Sequence, residues 1–305
     1  MSNNTFVLIQ ICCINTKLWY YTCELNKGAK MNRPYIENGI HQISNEKYHA
    51  SSAISRSCLM ELEKSPYHYH YKYLSGQYRS DDDKADLILG SAVHTLVLEE
   101  HIFDNEFFVT HQENLPKKGS APHQEMMLKA GGRAVLSIKR YELAKAIAKS
   151  VKAHELSQQL IYQGAKIEQS IFFTHEPTGI QCKARPDIML NGLVTDLKTT
   201  ASASPRTFQR SAYDYHYFLQ AGMIYEALRS IDIKMDKFVY IAVEKVEPYP
   251  IGIFVLDDDA LDYGIKLFNK LMGKLKKCQD SNSWEGYGIQ SLTLPGWANI
   301  DLGGE

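Results

Sequence analysis

The stretch of sequence that decides the fold occupies residues 182–199 and reads CKARPDIMLNGLVTDLKT. Its first half, Cys182–Leu190, has the composition of a β-strand, and Leu193–Thr199 predicts a second strand that returns beside it. Asn191-Gly192 stands between them, and this dipeptide is the strongest sequence signal for a two-residue β-hairpin turn. The stretch therefore predicts an antiparallel hairpin whose register is set by its turn.

The register of this hairpin places two aspartates opposite each other. Leu190 faces Leu193 across the turn, and counting outward brings Asp187 opposite Asp196. Side chains alternate along a strand, so Lys198 lies on the same face as Asp196. Directly opposed side chains have Cβ atoms about 5 Å apart, where two like charges are destabilising unless a cation lies between them. The pattern therefore predicts a divalent metal ion between two carboxylates, with a lysine beside it.

A third carboxylate belongs to the preceding predicted strand, Ile167–Thr174. This strand leads through a turn into the strand of Asp187, and pairing of Glu176 with Gly179 would place Glu168 opposite Asp187. A glycine bulge in the turn would shift this alignment by one residue. Hard oxygen ligands favour magnesium or manganese. The alternative is a surface hairpin with scattered charges, which the low strand propensity of aspartate makes the less favoured interpretation.

Length and composition set limits on the class of protein. The chain has 305 residues, 44% of them hydrophobic, which is enough for one large domain or two small ones. Its 34 basic and 35 acidic residues nearly cancel, so any contact with nucleic acid must come from local patches. The six cysteines show no regular spacing, which predicts a reduced, cytoplasmic protein.

The first 30 residues lack the sequence pattern of a globular domain that begins at about residue 31. The apolar run Thr5–Ile14 is too short to span a bilayer, and no basic segment precedes it. We predict that residues 1–30 are a non-core extension, either translated from upstream of the true start or poorly packed, and that 31–305 form a single domain. A genuine added strand in residues 1–30 is the alternative.

Two predicted helices carry further polar residues. In a helix from about Asp86 to Glu100, Gly90 and His94 lie one turn apart on one face. Glycine inside a helix costs about 1 kcal/mol, which indicates close packing at that point. A later helix, roughly Tyr213–Arg229, carries Gln220. Between the two, the sequence predicts a long loop over 111–132 and a long helix over 133–160.

Together, these motifs resemble those of the PD-(D/E)XK nuclease superfamily. Pro186-Asp187 and Asp196-Leu197-Lys198 match the pattern after which that superfamily is named. Within it, the chain is most similar to the RecE-type exonucleases of phages and prophages (exodeoxyribonuclease VIII), which share features with RecB-type nuclease domains. Gly90–His94 matches the GxxxH motif of that branch, and Glu168 matches the acidic residue on the strand before the aspartate.

The resemblance covers about Ser44–Ala298. Gln220–Tyr225 resembles the QxxxY motif, with one extra residue before Tyr225. Ser55-Arg56-Ser57 and Trp284–Tyr287 are similar to the two ends of this family. The D-X-K element by itself is a weak signal, whereas the motifs in this order are together specific.

The resemblance implies a restriction-endonuclease-like α/β fold, with a mixed central β-sheet flanked by helices. It implies hydrolysis of phosphodiester bonds with Mg²⁺ or Mn²⁺ as cofactor. It further implies processive 5′→3′ digestion of linear double-stranded DNA, which leaves single-stranded 3′ tails for recombination. A ring-shaped homo-oligomer and a RecT-like single-strand annealing protein are the partners expected on the same basis.

The hairpin register and the matched motifs together predict the metal ligands. We expect His94, Asp187, Asp196 and the backbone carbonyl of Leu197 to bind the cation, with Glu168 close by as a ligand or water-holder.

Two further residues complete the predicted catalytic set. Lys198 is expected to orient the attacking water and to offset charge that builds on phosphorus. Gln220 is expected at the edge of the site, where it would position DNA or water.

Other functions remain open at this point. Iron–sulfur relatives in the superfamily use three cysteines after the catalytic core, whereas only Cys278 follows it here, which excludes that cluster. A structure-specific or sequence-specific endonuclease of the same superfamily is one alternative. A catalytically inactive DNA-binding protein is another, and a lysine kept beside the acids argues against it.

Overall fold

A computed structural model describes residues 34–78, 85–161 and 164–294. The predicted extension, residues 1–30, lies outside the described residues. The strands in this part of the chain are β1 Gly39–His41, β2 Phe107–Thr110, β3 Ala134–Ser137, β4 Lys166–Ile167, β5 Ser170–His175, β6 Ile180–Ala184, β7 Ile188–Leu190, β8 Leu193–Thr200, β9 Lys237–Glu244 and β10 Ile251–Val255. The α-helices are α1 Asn45–Ala50, α2 Arg56–Lys64, α3 Pro66–Tyr73, α4 Ala85–Leu98, α5 Phe103–Glu106, α6 Ala121–Ala130, α7 Ile138–Ala153, α8 Glu155–Ile161, α9 Pro205–Asp214, α10 Tyr217–Arg229 and α11 Asp258–Ser281.

The central sheet is mixed, as expected, and has the strand order β10-β9-β8-β7-β4. Strands β8 and β9 run parallel, while the other neighbouring pairs are antiparallel. A three-stranded antiparallel sheet, β1-β5-β6, continues from one side of it, and β2 and β3 form a separate parallel pair. The parallel β8–β9 pair needs a crossover between its strands, and α9 and α10 supply it.

The predicted hairpin is confirmed as β7 and β8. Leu190 pairs with Leu193, and the two turn residues, Asn191 and Gly192, have φ of +46° and +83°. A type I′ turn requires positive φ at both central positions, and Asn-Gly tolerates this better than other dipeptides. The turn chemistry therefore sets the register of the strands that carry the acidic residues.

The predicted strand Cys182–Leu190 is interrupted. Strand β6 ends at Ala184 and β7 begins at Ile188, because Pro186 between them has no N–H to donate to a ladder. The neighbouring strand is also interrupted, at Glu168, where φ is +50°. The two breaks lie side by side and separate the three-stranded sheet from the central one.

The register nevertheless continues unchanged across the two breaks. Ile167 pairs with Ile188 on one side, and Ile171 pairs with Ala184 on the other. The intervening N–H of Glu168 donates to the carbonyl oxygen of Asp187 at 3.0 Å. The predicted alignment of Glu168 opposite Asp187 is therefore confirmed, and the turn before it causes no shift.

Two hydrophobic clusters cover the two faces of the central sheet. Val194 packs in one cluster with residues of α10 and α11, such as Leu219 and Phe268. Leu197 packs in the other, with Val93 of α4 and Ile147 of α7. Each fully buried side chain of this kind contributes about 1.5–3 kcal/mol. Because side chains alternate along β8, its polar residues at 196 and 198 lie on the face covered by α10.

Two sequence predictions about the connecting segments are wrong. Residues 111–132 are not all loop, because α6 forms between the N-cap Ser120, which accepts from the N–H of His123, and a left-handed Gly131. Residues 133–160 are not one helix, because they begin with β3, which pairs with β2, and α7 starts only after Ser137 caps it. Short apolar runs fit either state, and here the pairing with β2 decides.

The described cysteines, Cys58, Cys182 and Cys278, are free and buried. Among the described helices, none combines the length and the apolar character that a membrane span needs.

Candidate active site

Helix α4 brings His94 to β8 because the helix packs closely on that strand. A Cβ atom added to Gly90 would lie 3.3 Å from the side-chain oxygen of Thr199, so glycine permits the approach. One turn later, Nε2 of His94 lies 2.5 Å from the carbonyl oxygen of Leu197, and its Nδ1 lies 3.5 Å from Oδ2 of Asp187. The close packing predicted at Gly90 thus places the imidazole beside the hairpin.

The side chains of His94, Glu168 and Asp187 converge. One nitrogen or oxygen from each lies within 4.8 Å of the others. Asp187 lies outside the ladder of β7, and its Oδ2 accepts a hydrogen bond of 2.8 Å from the N–H of Leu197. This bond holds the carboxylate against β8, where the imidazole also points.

The two carboxylates of this group are held where negative charge is unfavourable. Burial raises the pKa of Asp187 to about 6, and the charge of Asp196 adds to the rise. Burial also raises the pKa of Glu168 well above its usual range, with a further contribution from Asp187 and an opposing one from Arg185. A group of acids that resists ionisation in this way favours a cation placed among them.

A second set of polar side chains surrounds Asp196, which is completely buried. Lys198 forms an ion pair with its Oδ2, and Nε2 of Gln220 donates to its Oδ1 at 2.5 Å. The other end of the Gln220 amide, Oε1, accepts hydrogen bonds from Lys198 at 3.2 Å and from Arg56 at 2.9 Å. The shared strand face predicted for Asp196 and Lys198 is confirmed by their ion pair.

The structure divides the predicted metal-binding set. It brings His94 and Asp187 together with Glu168 and with the carbonyl of Leu197. The carboxylate of Asp196 stays outside that three-residue group and faces the lysine and the glutamine instead. Asp196 is still near enough for its charge to raise the pKa of Asp187.

Tyr225, the last residue of the QxxxY-like segment, packs against the hydrophobic core. Helical positions five apart differ by about 140° around the axis, whereas positions four apart differ by only about 40°. The extra residue in the motif therefore turns Tyr225 away from the face that carries Gln220.

Sequence reasoning assigned no role to three residues that contact the site. Nζ of Lys198 lies 5.0 Å from the ring centre of Tyr217, and the Arg185 side chain lies 4.0 Å from a Glu168 oxygen. Arg185 could have been found, because it lies two positions before Asp187 on the same face of the predicted strand Cys182–Leu190. Arg56 reaches Gln220 from 164 positions away, a contact that no local spacing signals.

The donor set fits a hard divalent cation. Two carboxylates and a backbone carbonyl supply the oxygen ligands that magnesium and manganese prefer, and the imidazole adds one nitrogen beside them. The raised pKa values of Asp187 and Glu168 show that the fold holds these acids close together in surroundings that disfavour their charge. His94, Glu168, Asp187 and the Leu197 carbonyl would hold the ion, and Asp196 borders them.

Comparison with known proteins agrees with this geometry. Residues 55–291 match the model of a family described as a PDDEXK-like domain of unknown function (DUF3799). A crystal structure of a protein from Eubacterium rectale, described as a "putative exonuclease", superposes with a TM-score of 0.58 at 14% sequence identity, covering 84% of this chain and 96% of the other. No curated protein matches the sequence. The likeness shows that the two chains share a fold, and the family model identifies this chain's fold as PD-(D/E)XK.

Proposed function

Because the chain belongs to the family of PDDEXK-like domains of unknown function, we propose that it is a metal-dependent deoxyribonuclease acting on the ends of linear double-stranded DNA. The observation that carries this proposal is the convergence of His94, Glu168 and Asp187 within 4.8 Å, with Lys198 on the neighbouring strand. The fold alone would not support a nuclease function, because one fold occurs in proteins of many functions and the residues of the site distinguish them.

The three converging side chains bind the cation in this proposal. A magnesium or manganese ion at this position would polarise a phosphoryl oxygen and favour ionisation of a bound water. Asp187 is held ready by the N–H of Leu197, and His94 is held against the carbonyl of the same residue. Glu168 faces Asp187 across the interrupted strands and supplies the second carboxylate.

Lys198 acts on the phosphate and on the attacking water. Its ammonium is positioned by Asp196, by the Gln220 amide and by the ring of Tyr217, so it needs little rearrangement when substrate binds. An ammonium group fixed in a partly buried site stabilises the charge that develops in the transition state more than a mobile lysine on the surface would. Asp196 and Gln220 therefore orient the lysine, and they border the cation site.

The finer parts of the proposal rest on the resemblance of the motifs to RecE-type exonucleases. We propose digestion in the 5′→3′ direction, with single-stranded 3′ tails as the product and recombination as the process served. A homo-oligomer that encloses the duplex and a RecT-like annealing protein as partner belong to the same proposal. The description of the E. rectale protein as a "putative exonuclease" is consistent with attack on ends.

Comparison of linear and circular DNA tests this function. Purified protein with Mg²⁺ should degrade a linear duplex labelled at one 5′ end and spare a covalently closed circle of the same sequence. If the label leaves as a mononucleotide before the labelled strand is shortened from its 3′ end, digestion runs in the 5′→3′ direction. Cutting of the circle would instead show an endonuclease, and binding without cutting at any metal concentration would show an inactive DNA-binding protein.

A further inference from the structure

Two positively charged side chains meet at one neutral oxygen beside the candidate active site. Arg56 donates to Oε1 of Gln220 at 2.9 Å, and Lys198 donates to the same atom at 3.2 Å. The two donor nitrogens are therefore no more than about 6 Å apart. Like charges at that separation repel each other, and a neutral amide oxygen offsets little of the repulsion.

The two cations differ in how they are compensated. Lys198 has an ionic partner in Asp196. Within the described residues no carboxylate forms an ion pair with Arg56, and Arg56 is only half-buried. Arginine carries five N–H donors in a planar fork, of which the contact with Gln220 uses one. In the part of the chain that the structure describes, the remaining donors have no hydrogen-bond partner, so they are available to an anion.

We propose that Arg56 binds the backbone phosphate adjacent to the one that is cut. This inference rests on the proposed function, because the substrate that would bring a second phosphate to this position is a nucleic acid strand whose scissile phosphate lies at Lys198. A phosphate offers oxygens that the arginine fork contacts in pairs, so binding would replace the hydrogen bond to Gln220 with charge-assisted ones. Gln220 remains held at its other end by Asp196.

A purely positioning role is the competing explanation. In that case Arg56 would only fix the amide of Gln220, which in turn orients Asp196 and Lys198. The two explanations differ in the salt dependence of DNA binding, because a phosphate contact releases counterions and an internal hydrogen bond does not. They also differ in whether the effect of the arginine depends on a charged phosphate at one particular position of the DNA.

The test measures binding of a linear duplex in Ca²⁺, so that cleavage does not interfere, across a range of salt concentrations. For Arg56→Gln we expect about 10- to 100-fold weaker binding, as for loss of a charge-assisted hydrogen bond. The slope of log affinity against log salt should fall by about 0.9. Arg56→Lys keeps the charge and should restore the slope and part of the affinity. Arg229→Gln, at the opposite end of the helix that carries Gln220, is the matched control and should match the wild type.

A neutral methylphosphonate at the phosphate next to the cut site completes the experiment as a double-mutant cycle. The modification should weaken binding by the wild-type protein and have little further effect on Arg56→Gln. The proposal is overturned if Arg56→Gln keeps the wild-type salt slope while single-turnover cleavage falls, or if the two losses are additive. Wild-type protein that binds DNA without cutting it would refute the nuclease function, and the salt slope of Arg56→Gln would then decide by itself whether Arg56 contacts a phosphate. If Arg56→Gln alone shifts the melting temperature, Arg56→Met, which also lacks the charge, takes its place in both measurements with the same criteria.

Discussion

The backbone N–H of Glu168 donates to the carbonyl oxygen of Asp187 at 3.0 Å, so the two acids start from directly opposed positions on neighbouring interrupted strands. Neither residue belongs to a regular ladder, and this frees both carboxylates to turn toward His94. The break that Pro186 imposes on one strand thus has its counterpart at Glu168 on the other. The cation site is built where the sheet is interrupted.

Asp187→Asn should abolish stabilisation by divalent cations. The change preserves shape but removes the ligand charge, whereas a cation bound at 100 times its Kd stabilises the wild type by about 2.7 kcal/mol. The melting temperature measured with Mg²⁺ or Mn²⁺ against EDTA checks this. Asp232→Asn is the control, because Asp232 is exposed in a turn with φ of +57°, which asparagine tolerates. An equal rise in melting temperature for Asp187→Asn and wild type would contradict the assignment.

The stability of metal-free protein should fall as the pH rises from about 4 to about 7. The pKa of Asp187 rises from the ordinary aspartate value of 3.8 to about 6 in the folded protein, so the folded state holds this proton more tightly. A raised carboxyl pKa contributes stability below the unfolded value, and that contribution, on the order of 3 kcal/mol, is lost as the pH passes the folded value. Urea unfolding in EDTA should therefore show wild type losing stability relative to Asp187→Asn over this window. Parallel curves would show that the acid is ionised throughout.

Lys198→Ala should lose most nuclease activity while it retains cation binding. Removing one electrostatic group of this kind typically costs about 10²–10³ in rate, and Lys198 is no metal ligand. Its loss leaves the buried Asp196 with Gln220 alone, so some loss of stability is expected as well. Single-turnover cleavage per folded molecule separates the two effects, with exposed Lys266→Ala as control.

A folded Lys198→Ala protein that cleaves at a near-normal rate would remove the lysine from the catalytic set. It would then only offset the charge of Asp196, and its replacement would change the melting temperature without changing turnover.

Gly222→Ala should destabilise the fold strongly. A Cβ atom at that position would lie 2.2 Å from the backbone of Gly264, at the point where α10 and α11 cross. Overpacking of this kind usually costs about 1–3 kcal/mol, because the backbones must separate. Gly273→Ala on α11 is the control, since nothing lies within 4 Å of its added Cβ and alanine should stabilise the helix by about 0.5–1 kcal/mol. Equal melting temperatures of the two variants would contradict close crossing of the helices.

Much of the central structure could be predicted because its signals are local. The Asn191-Gly192 turn dictates positive φ and a two-residue connection, and these set the pairing of Leu190 with Leu193. Counting residues outward from the next turn, with Glu176 paired to Gly179, likewise placed Glu168 opposite Asp187. Gly90 indicated that α4 packs closely, which the contact with Thr199 explains. The longer segments were harder, because β3 is a four-residue apolar run whose state depends on its pairing with β2.

The sequence by itself therefore determined the hairpin register, the shared face of Asp196 and Lys198, and the helical face of His94, since these follow from turn geometry and from residue periodicity. Only the tertiary structure decided which acids meet. It grouped Glu168 with His94 and Asp187, turned Asp196 toward Lys198, and brought Arg56 to Gln220 across 164 positions. The physical reason is that the partner of a buried charge depends on how deeply the charge is buried and on which hydrogen-bond donors lie within a few ångströms. Packing between segments that are distant in the sequence decides the burial and the nearby donors.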